Sequence, residues 1–499
     1  MLKRIEKGIM IPSILIVLGI SFGIIINPET SKRIITQTQE IITNQYGYIY
    51  IWYGIFAFVF VIGISFSKYG RVRLGSKEEG PEFKTFSWAA MLFCAGIGAS
   101  VIYWGVIEWA YYYIALPYGG KIESFQAAEL AATYGIFHWG PVAWSIYAVS
   151  SASIGYLYHV RKVPVLRISE ACRPILKEKV DGILGKGIDV LFILGLLGGA
   201  GTSLGLGTPL ATEGIARIFN IEITIFLEIA VLLIITLLFA VSAYSGLKKG
   251  IKILSNINII LTIFLLLFVF VVGDTIFMIN MGTSSIGVLI DKFPIMMTWL
   301  DPVGKSGFPQ DWTVFYWAWW VAYAPFMGMF IARISKGRTV KNMLLGSITF
   351  GSIGCAVFFI ILGNYGLNLQ LSGSYNVIDS LSNFGGAVTI INILETMPVS
   401  KVIILLVTIV SIVFMATTFD SASYVMAVTV HKKQVENYEP DRWIRVFWAL
   451  TLGVVPISFI LLESELSILQ TASIVAALPV TLIGVLTAWA YIKMVNEDR

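Results

Sequence analysis

Charge is scarce in this sequence. Asp, Glu, Lys and Arg make up 13% of its 499 residues while 57% are hydrophobic, and that charged share is roughly half of what soluble domains carry. A soluble chain of this length would divide into domains with polar surfaces, so the composition excludes that class and points to lipid as the solvent. Cysteine is scarcer still. Cys94, Cys172 and Cys355 are too few and too scattered for a disulfide or zinc framework. The three histidines, His138, His159 and His431, show no metal-ligand spacing. The chain has no P-loop string, which excludes transport energised by ATP bound to this chain. It also has no nucleophile–base pair of the kind an enzyme needs.

What is abundant is long apolar sequence. A crossing needs about 20 such residues, and segments of that kind fall at 9–26, 47–66, 86–115, 128–158, 188–213, 222–244, 254–277, 312–332, 343–362, 402–430, 443–461 and 468–492. The expected class is therefore an all-α integral membrane protein of about twelve transmembrane helices. The third, fourth and tenth segments exceed a perpendicular crossing, and either tilt or a break within the helix accommodates the excess. The basic start before 9–26 leads into a run of span length without a small-residue cleavage site, so it reads as the first span and not as a signal peptide.

The net charge of +5 is modest, but its distribution orients the chain. Basic residues cluster after even-numbered spans: Lys68, Arg71, Arg73, Lys77 and Lys84; Arg161, Lys162, Arg167, Arg173, Lys177, Lys179 and Lys186; Lys248, Lys249 and Lys252; Arg333, Lys336, Arg338 and Lys341; Lys432, Lys433, Arg442 and Arg445. Of the alternate connections, 116–127 has only Lys121, and 462–467 has Glu463 and Glu465. Positive loops stay inside, so the expectation is a multi-pass cell-membrane protein with both termini cytoplasmic. Two outer connections, 278–311 and 363–401, are long and carry apolar residues at helical spacing, which suits interfacial helices.

Three segments interrupt the apolar monotony. In the third span, Cys94 to Ser100 reads CAGIGAS; such glycines serve either close helix packing or an unwound stretch whose freed backbone lines a cavity. In the eighth, Tyr316, Trp319, Trp320 and Tyr323 fall at i, i+3, i+4 and i+7, one stripe of a helix running up to Pro325. The fourth span adds His138, Trp139, Trp144 and Tyr147. Trp312 reads as an interfacial belt residue. A stripe of rings toward mid-span suits an aromatic cage for a cation with no N–H to donate, each contact contributing roughly 0.5–2 kcal/mol. In the tenth span, Thr417, Thr418, Asp420, Ser421 and Ser423 offer oxygens that either bond back to their own helix or face a small hard cation. Glu108 and Asp420 are intramembrane carboxylates and functional candidates by position, their roles left open.

Together these segments resemble the betaine/carnitine/choline transporter (BCCT) family. The stretch from Trp312 to Trp320 (WTVFYWAWW), continuing to Ala332 to Thr339 (ARISKGRT), is similar to its signature. His138-Trp139, Trp144 and Tyr147 are similar to its fourth helix and Asp420 to Ser423 to its tenth. The resemblance runs from about residue 10 to 490. It implies an inverted five-helix-repeat (LeuT-type) fold with two extra N-terminal helices. Residues 1–85 would hold the peripheral spans and linker, 86–277 the first repeat, 278–311 an external connection, 312–492 the second repeat and 493–499 a short tail. It implies a homotrimer in membrane lipid and a quaternary-ammonium substrate held by Trp139, Trp144, Tyr147, Trp319, Trp320 and Tyr323. It also implies sodium as coupling ion on the backbone of Cys94, Ile97 and Phe414 and the hydroxyls of Thr417 and Thr418.

Within the family, Asn258 stands where sodium-independent exchangers place an arginine, and Gly98 where exchangers and choline carriers tend to have Asp. Both departures favour a sodium-coupled symporter of a zwitterion such as glycine betaine. Phe93 to Gly96, Tyr103 to Gly105, Ile107-Glu108 with Tyr111 to Tyr113, and Gly201 to Leu206 resemble sodium-independent carnitine exchangers, which stay as the alternative. Pro325 to Met329 resembles sodium-coupled betaine carriers, while Met327 matches the exchangers' methionine and speaks against a second sodium position. A channel on the same frame needs a continuous polar path, and the spans supply few charges for one besides Glu108, Glu129, Glu228 and Asp420. Osmotically activated relatives carry long charged terminal extensions. Only about seven residues follow the twelfth segment here, so the expectation is a metabolic carrier and not a stress-activated one; the basic linkers 67–85 and 159–186 are the other place where such sensing would reside.

Overall fold

In hydrocarbon a backbone N–H or C=O finds no water, so an apolar run must close its hydrogen bonds within itself, and every one of the twelve apolar segments coincides with helix. The computed structural model describes residues 4–76, 78–247, 250–432, 440–460 and 466–499. Lys77, Lys248, Lys249, Lys433, Glu463 and Glu465 of the loop-charge pattern lie outside them. Among the described residues the helices are α1 (Lys7–Ile26), α2 (Pro28–Phe66), α3 (Thr85–Ile97), α4 (Ser100–Ile114), α5 (Phe125–His138), α6 (Pro141–Gly155), α7 (Ile168–Ala171), α8 (Arg173–Leu176), α9 (Ile183–Phe219) and α10 (Ile225–Ser245). They continue as α11 (Ile251–Val272), α12 (Thr275–Thr298), α13 (Phe315–Ile334), α14 (Val340–Phe358), α15 (Asn364–Ser372), α16 (Val377–Glu395), α17 (Ser400–Thr429), α18 (Arg442–Ile460) and α19 (Leu466–Glu497). The only β pairing among them is two isolated bridges, Ile5 with His431 and Arg73 with Thr339.

Nine helices in the described residues are long and apolar enough to cross a membrane, and α3 with α4, bent by 61°, makes a tenth when counted as one span. The excess length in the third and fourth segments is taken up by breaks. The third breaks at Gly98, between α3 and α4. The fourth breaks at Trp139-Gly140, where Pro141, with no N–H to lose, opens α6. The tenth, α17, stays one helix of 30 residues. The outer connection 278–311 begins within α12, which exposes Ile276, Ile279, Ile286 and Ile290 and buries Met278, Met296 and Met297. In the connection 363–401, read as interfacial, α16 proves long and apolar enough to count among the nine.

The core is α13, all of whose 20 residues are buried. It packs on α6, and α17 packs on α9 and α3. At the end of the molecule that carries the basic linkers, the turn between α13 and α14 is bonded to the linker between α2 and α3. Leu74 N donates to Arg338 O at 2.8 Å, Gly337 N to Leu74 O at 2.6 Å, Val340 N to Val72 O at 2.8 Å and Glu82 N to Lys336 O at 3.1 Å. Gly337 sits at φ +80, and a Cβ there would strike the Gly80 carbonyl. Side chains complete this clasp. Arg333 pairs with Glu82 at 3.0 Å, the Arg338 guanidinium lies 4.5 Å over the Trp88 ring, and Trp88 Nε1 donates to Ser335 Oγ at 3.0 Å. The ARISKGRT motif thus ties the start of α3 to the end of α13.

Candidate substrate and ion site

The helical period that put Tyr316, Trp319, Trp320 and Tyr323 on one stripe holds in α13. Trp319 and Trp320 stack with centroids 5.0 Å apart and planes 9° apart, and Tyr316 stacks on both at 6.2 and 5.7 Å. The break between α5 and α6 delivers Trp139 edge-on to Trp320 at 5.0 Å and 6.3 Å from Trp319. Nearly two turns into α6, Tyr147 stands perpendicular to Trp320 at 5.6 Å and lies 6.2 Å from Tyr323. Five of the six expected cage residues therefore form one ring cluster. Trp144 joins it only through Tyr147, at 5.7 Å. Its indole is otherwise stacked on Phe93 at 6.2 Å and laid on the bare backbone of Gly351.

Two hydrogen bonds fix the ring cluster. Trp320 Nε1 donates to His138 O at 3.0 Å, and Tyr147 Oη donates to Gly96 O at 3.0 Å. The Tyr323 hydroxyl is buried with no hydrogen-bond partner among the described residues. Gly199 of α9 provides the flat surface against which it packs, since a Cβ there would come within 2.7 Å of the ring. Sequence reasoning missed Gly199, because nothing marks a packing glycine among the others of its helix.

Behind Trp139 lies Glu108 of α4, completely buried. Its Oε2 accepts from Trp139 Nε1 at 2.9 Å and from Tyr316 Oη at 2.8 Å, and its Oε1 accepts from Tyr112 Oη. Tyr112 Oη also meets His138 Nδ1 at 2.8 Å, and His138 Nε2 meets Thr313 Oγ1 at 3.0 Å. A buried carboxylate is tolerated only with such a complete donor set. Asp420, the second carboxylate singled out from the sequence, lies in α17 against Ser242 of α10. Trp312, read from sequence as a belt residue, is half-buried and surrounded by rings: Tyr112 at 4.7 Å, Tyr111 at 5.6 Å, Trp104 at 6.0 Å and Tyr316 at 6.3 Å. That reading is corrected, because α4 covers the turn that leads into α13 with aromatic side chains where lipid was expected.

The glycines of α3 do break it. Gly98 has φ +60 and ψ −156, a conformation open to glycine and strained for other residues. A Cβ there would come within 2.9 Å of Thr418 Oγ1, so a larger side chain, Asp included, would not fit as the chain stands. Ending α3 at Ile97 leaves its last carbonyls without helical partners. Thr418 Oγ1 donates to Cys94 O at 2.7 Å, while Thr417 Oγ1 lies 2.9 Å from Phe414 O in its own helix. All five expected ion-site residues, Cys94, Ile97, Phe414, Thr417 and Thr418, are buried where α3 meets α17.

Asn258 of α11 is buried beside them, Nδ2 3.8 Å from Cys94 Sγ. Its Oδ1 and the hydroxyls of Ser255 and Thr262, at i−3 and i+4 on the same helix, are buried without hydrogen-bond partners among the described residues. Met327 approaches Gly96, where a Cβ would meet its methyl at 3.0 Å. Among the described residues no three His, Cys, Asp or Glu side chains gather to hold a metal.

A family model of betaine/carnitine/choline transporters matches residues 8–499. A relative described as a carnitine transporter, from Acinetobacter baumannii, is 32% identical over 493 residues, covering 99% of this chain and 89% of that protein. Both are transporters and not enzymes. With its many apolar helices the chain is a multi-pass membrane protein, and it belongs to the betaine/carnitine/choline transporter family.

Proposed function

We propose that this protein is a sodium-coupled symporter of glycine betaine or a closely related betaine. The observation that carries the reading is Tyr147. Its ring is a wall of the aromatic cage, and its hydroxyl is bonded to the Gly96 carbonyl in the last turn of α3. In that turn the Cys94 carbonyl is bonded to Thr418. One side chain would thus touch both the substrate's cationic head and the stretch of backbone that would hold sodium. The ring faces suit a trimethylammonium group, which offers no N–H to any acceptor. Thr417 and Thr418, with the backbone oxygens of Cys94, Ile97 and Phe414, are the hard neutral ligands that sodium takes. Asn258 brings no positive charge to that place, and its orphaned oxygen is an acceptor. The topology belongs to the same reading: twelve spans, two inverted five-helix repeats (86–277 and 312–492) after two peripheral helices, basic loops and both termini cytoplasmic, in a homotrimer in the cell membrane.

A second reading, a sodium-independent exchanger of carnitine-like compounds, is favoured by the name of the A. baumannii relative and by Met327 lying against Gly96. Uptake of labelled glycine betaine, carnitine and γ-butyrobetaine into proteoliposomes, with and without a sodium gradient, separates the two. Under the symport reading sodium raises substrate affinity, and substrate raises sodium affinity by the same factor. Uptake at full affinity in sodium-free buffer refutes symport and favours exchange.

A further inference from the structure

Glu108, Tyr112, His138 and Thr313 form an unbroken hydrogen-bonded chain that the substrate and sodium roles leave unused. We propose that this chain is a proton-binding site built into the cage wall, and that the charge it places on Glu108 sets whether the cage favours a zwitterionic or a purely cationic ligand. This rests on the cage assignment above.

The bond directions permit two self-consistent states. With Glu108 ionised, Thr313 Oγ1–H donates to His138 Nε2, His138 Nδ1–H to Tyr112 Oη, and Tyr112 Oη–H to Glu108 Oε1. A proton arriving at the Thr313 oxygen displaces the hydroxyl proton to Nε2. The Nδ1 proton then passes to Tyr112 and the Tyr112 proton to Glu108. One proton has entered and one has been bound. Threonine, histidine and tyrosine are each neutral again, and histidine has changed tautomer. In the new direction Glu108 Oε1–H points to Tyr112 Oη, Tyr112 Oη–H to Nδ1 and Nε2–H to Thr313 Oγ1, along the same three contacts. Trp139 and Tyr316 donate to Oε2 in both states, so the cage keeps its shape while its charge changes.

The titratable side chains facing this carboxylate are Tyr112 on its own helix, Tyr134 and His138 from α5, Tyr316 from α13 and Cys355 from α14. α9 meets α4 with the Ser203 hydroxyl on Ser100, and α16 with the backbone of Gly386 on Tyr103. No described cation pairs with Glu108. Its charge therefore acts on whatever sits across Trp139, and an indole N–H bonded to an anion makes the ring face more attractive to a cation. Ionised, the site favours a ligand with only positive charge. Protonated, it removes the repulsion on a ligand that brings its own carboxylate.

The test uses the purified full-length protein, with glycine betaine and choline as ligands and tryptophan fluorescence as readout. A pH-indicator dye in weak buffer reads protons. Glycine betaine should take up a proton on binding and choline should release one. The ratio of their affinities should change with pH by up to about tenfold per unit, the slope of one linked proton. In Glu108→Gln the ratio should be flat and fixed at the acid-side value. Tyr112→Phe, which keeps the carboxylate but cuts it from His138, should keep the slope and move its midpoint. It serves as the test if the glutamine variant does not fold. A flat ratio in the unaltered protein, the same slope in Glu108→Gln, or an unmoved midpoint in Tyr112→Phe overturns the proposal while leaving the cage in place. If neither ligand binds saturably to the unaltered protein, the cage assignment and the proton site fail together.

Discussion

The α3–α4 span gives up helical geometry at Gly98, whereas α13 keeps it straight through Pro325, and both line the candidate site. Under the proposed function, the binding groups where the helix breaks are carbonyls of the last turn, supplied by the backbone. Where it continues, they are ring faces, supplied by side chains one helical turn apart. A hard ion needs the first kind of ligand and a methylated ammonium the second, so under that proposal the two spans divide the work by how each treats its own backbone. The same contrast implies different tolerances. The broken span should be sensitive to any change in backbone freedom, and the continuous one to loss of aromatic surface.

The largest effect should come from Gly98→Ala. A residue with a Cβ in that conformation costs on the order of 1–3 kcal/mol, and its Cβ would press on Thr418 Oγ1. Sodium-stimulated uptake in proteoliposomes should be nearly lost. Combining it with Thr418→Ala relieves the contact but not the strain, so the double variant should recover little; full recovery would mean that φ at Gly98 is unimportant. Next is Trp320→Leu, which removes the ring at the centre of the cage. It should weaken glycine betaine binding roughly tenfold, as the loss of one desolvated cation–π partner implies, with sodium affinity measured without substrate unchanged. Trp312→Leu should have a smaller effect, felt through Tyr112 and Tyr316 and not by contact with substrate. Equal losses for the two tryptophans would erase the distinction between cage and surround.

Thr418→Ala alone leaves the Cys94 carbonyl without its side-chain donor. Its apparent sodium affinity should fall by roughly fivefold, the worth of about 1 kcal/mol for one hydrogen bond, while binding of substrate without sodium holds. The smallest effect should be that of Pro325→Ala. The helix already runs through this proline, so alanine restores an N–H without moving the rings, and uptake should stay within about twofold of the unaltered protein. A large loss would show that Pro325 works as a hinge and that α13 is not the unbroken partner of α3–α4.

Much of this was legible in the sequence because local rules govern it. Apolar length marked the segments, the 3.6-residue period aligned Tyr316, Trp319, Trp320 and Tyr323, and CAGIGAS marked a helix that would either pack or unwind. What the sequence left open depended on contacts between distant residues. Glu108 was visible as a misplaced charge, but its donors come from α4, from the α5–α6 junction and from α13, and no local pattern joins them. Trp312 carries the signature of a belt residue and is covered instead, because α4 happens to present Trp104, Tyr111 and Tyr112 to it. Excess length alone did not separate the fourth segment, which breaks before Pro141, from the tenth, which does not break.

The clasp between the α2–α3 linker and the α13–α14 turn also has a bearing on how the chain is made. Its side-chain links join residues 247 to 255 positions apart: Trp88 with Ser335, Glu82 with Arg333 and Phe83 with Arg338. A ribosome that has delivered α3 must add all of α4 through α13 before any of these partners exists. Until then the Trp88 indole and the Glu82 carboxylate have no clasp to enter, and the start of α3 is unanchored on that side. The broken helix is thus among the first parts of the site to be synthesised and among the last to be fastened, and its fastening coincides with the arrival of the helix that carries the cage.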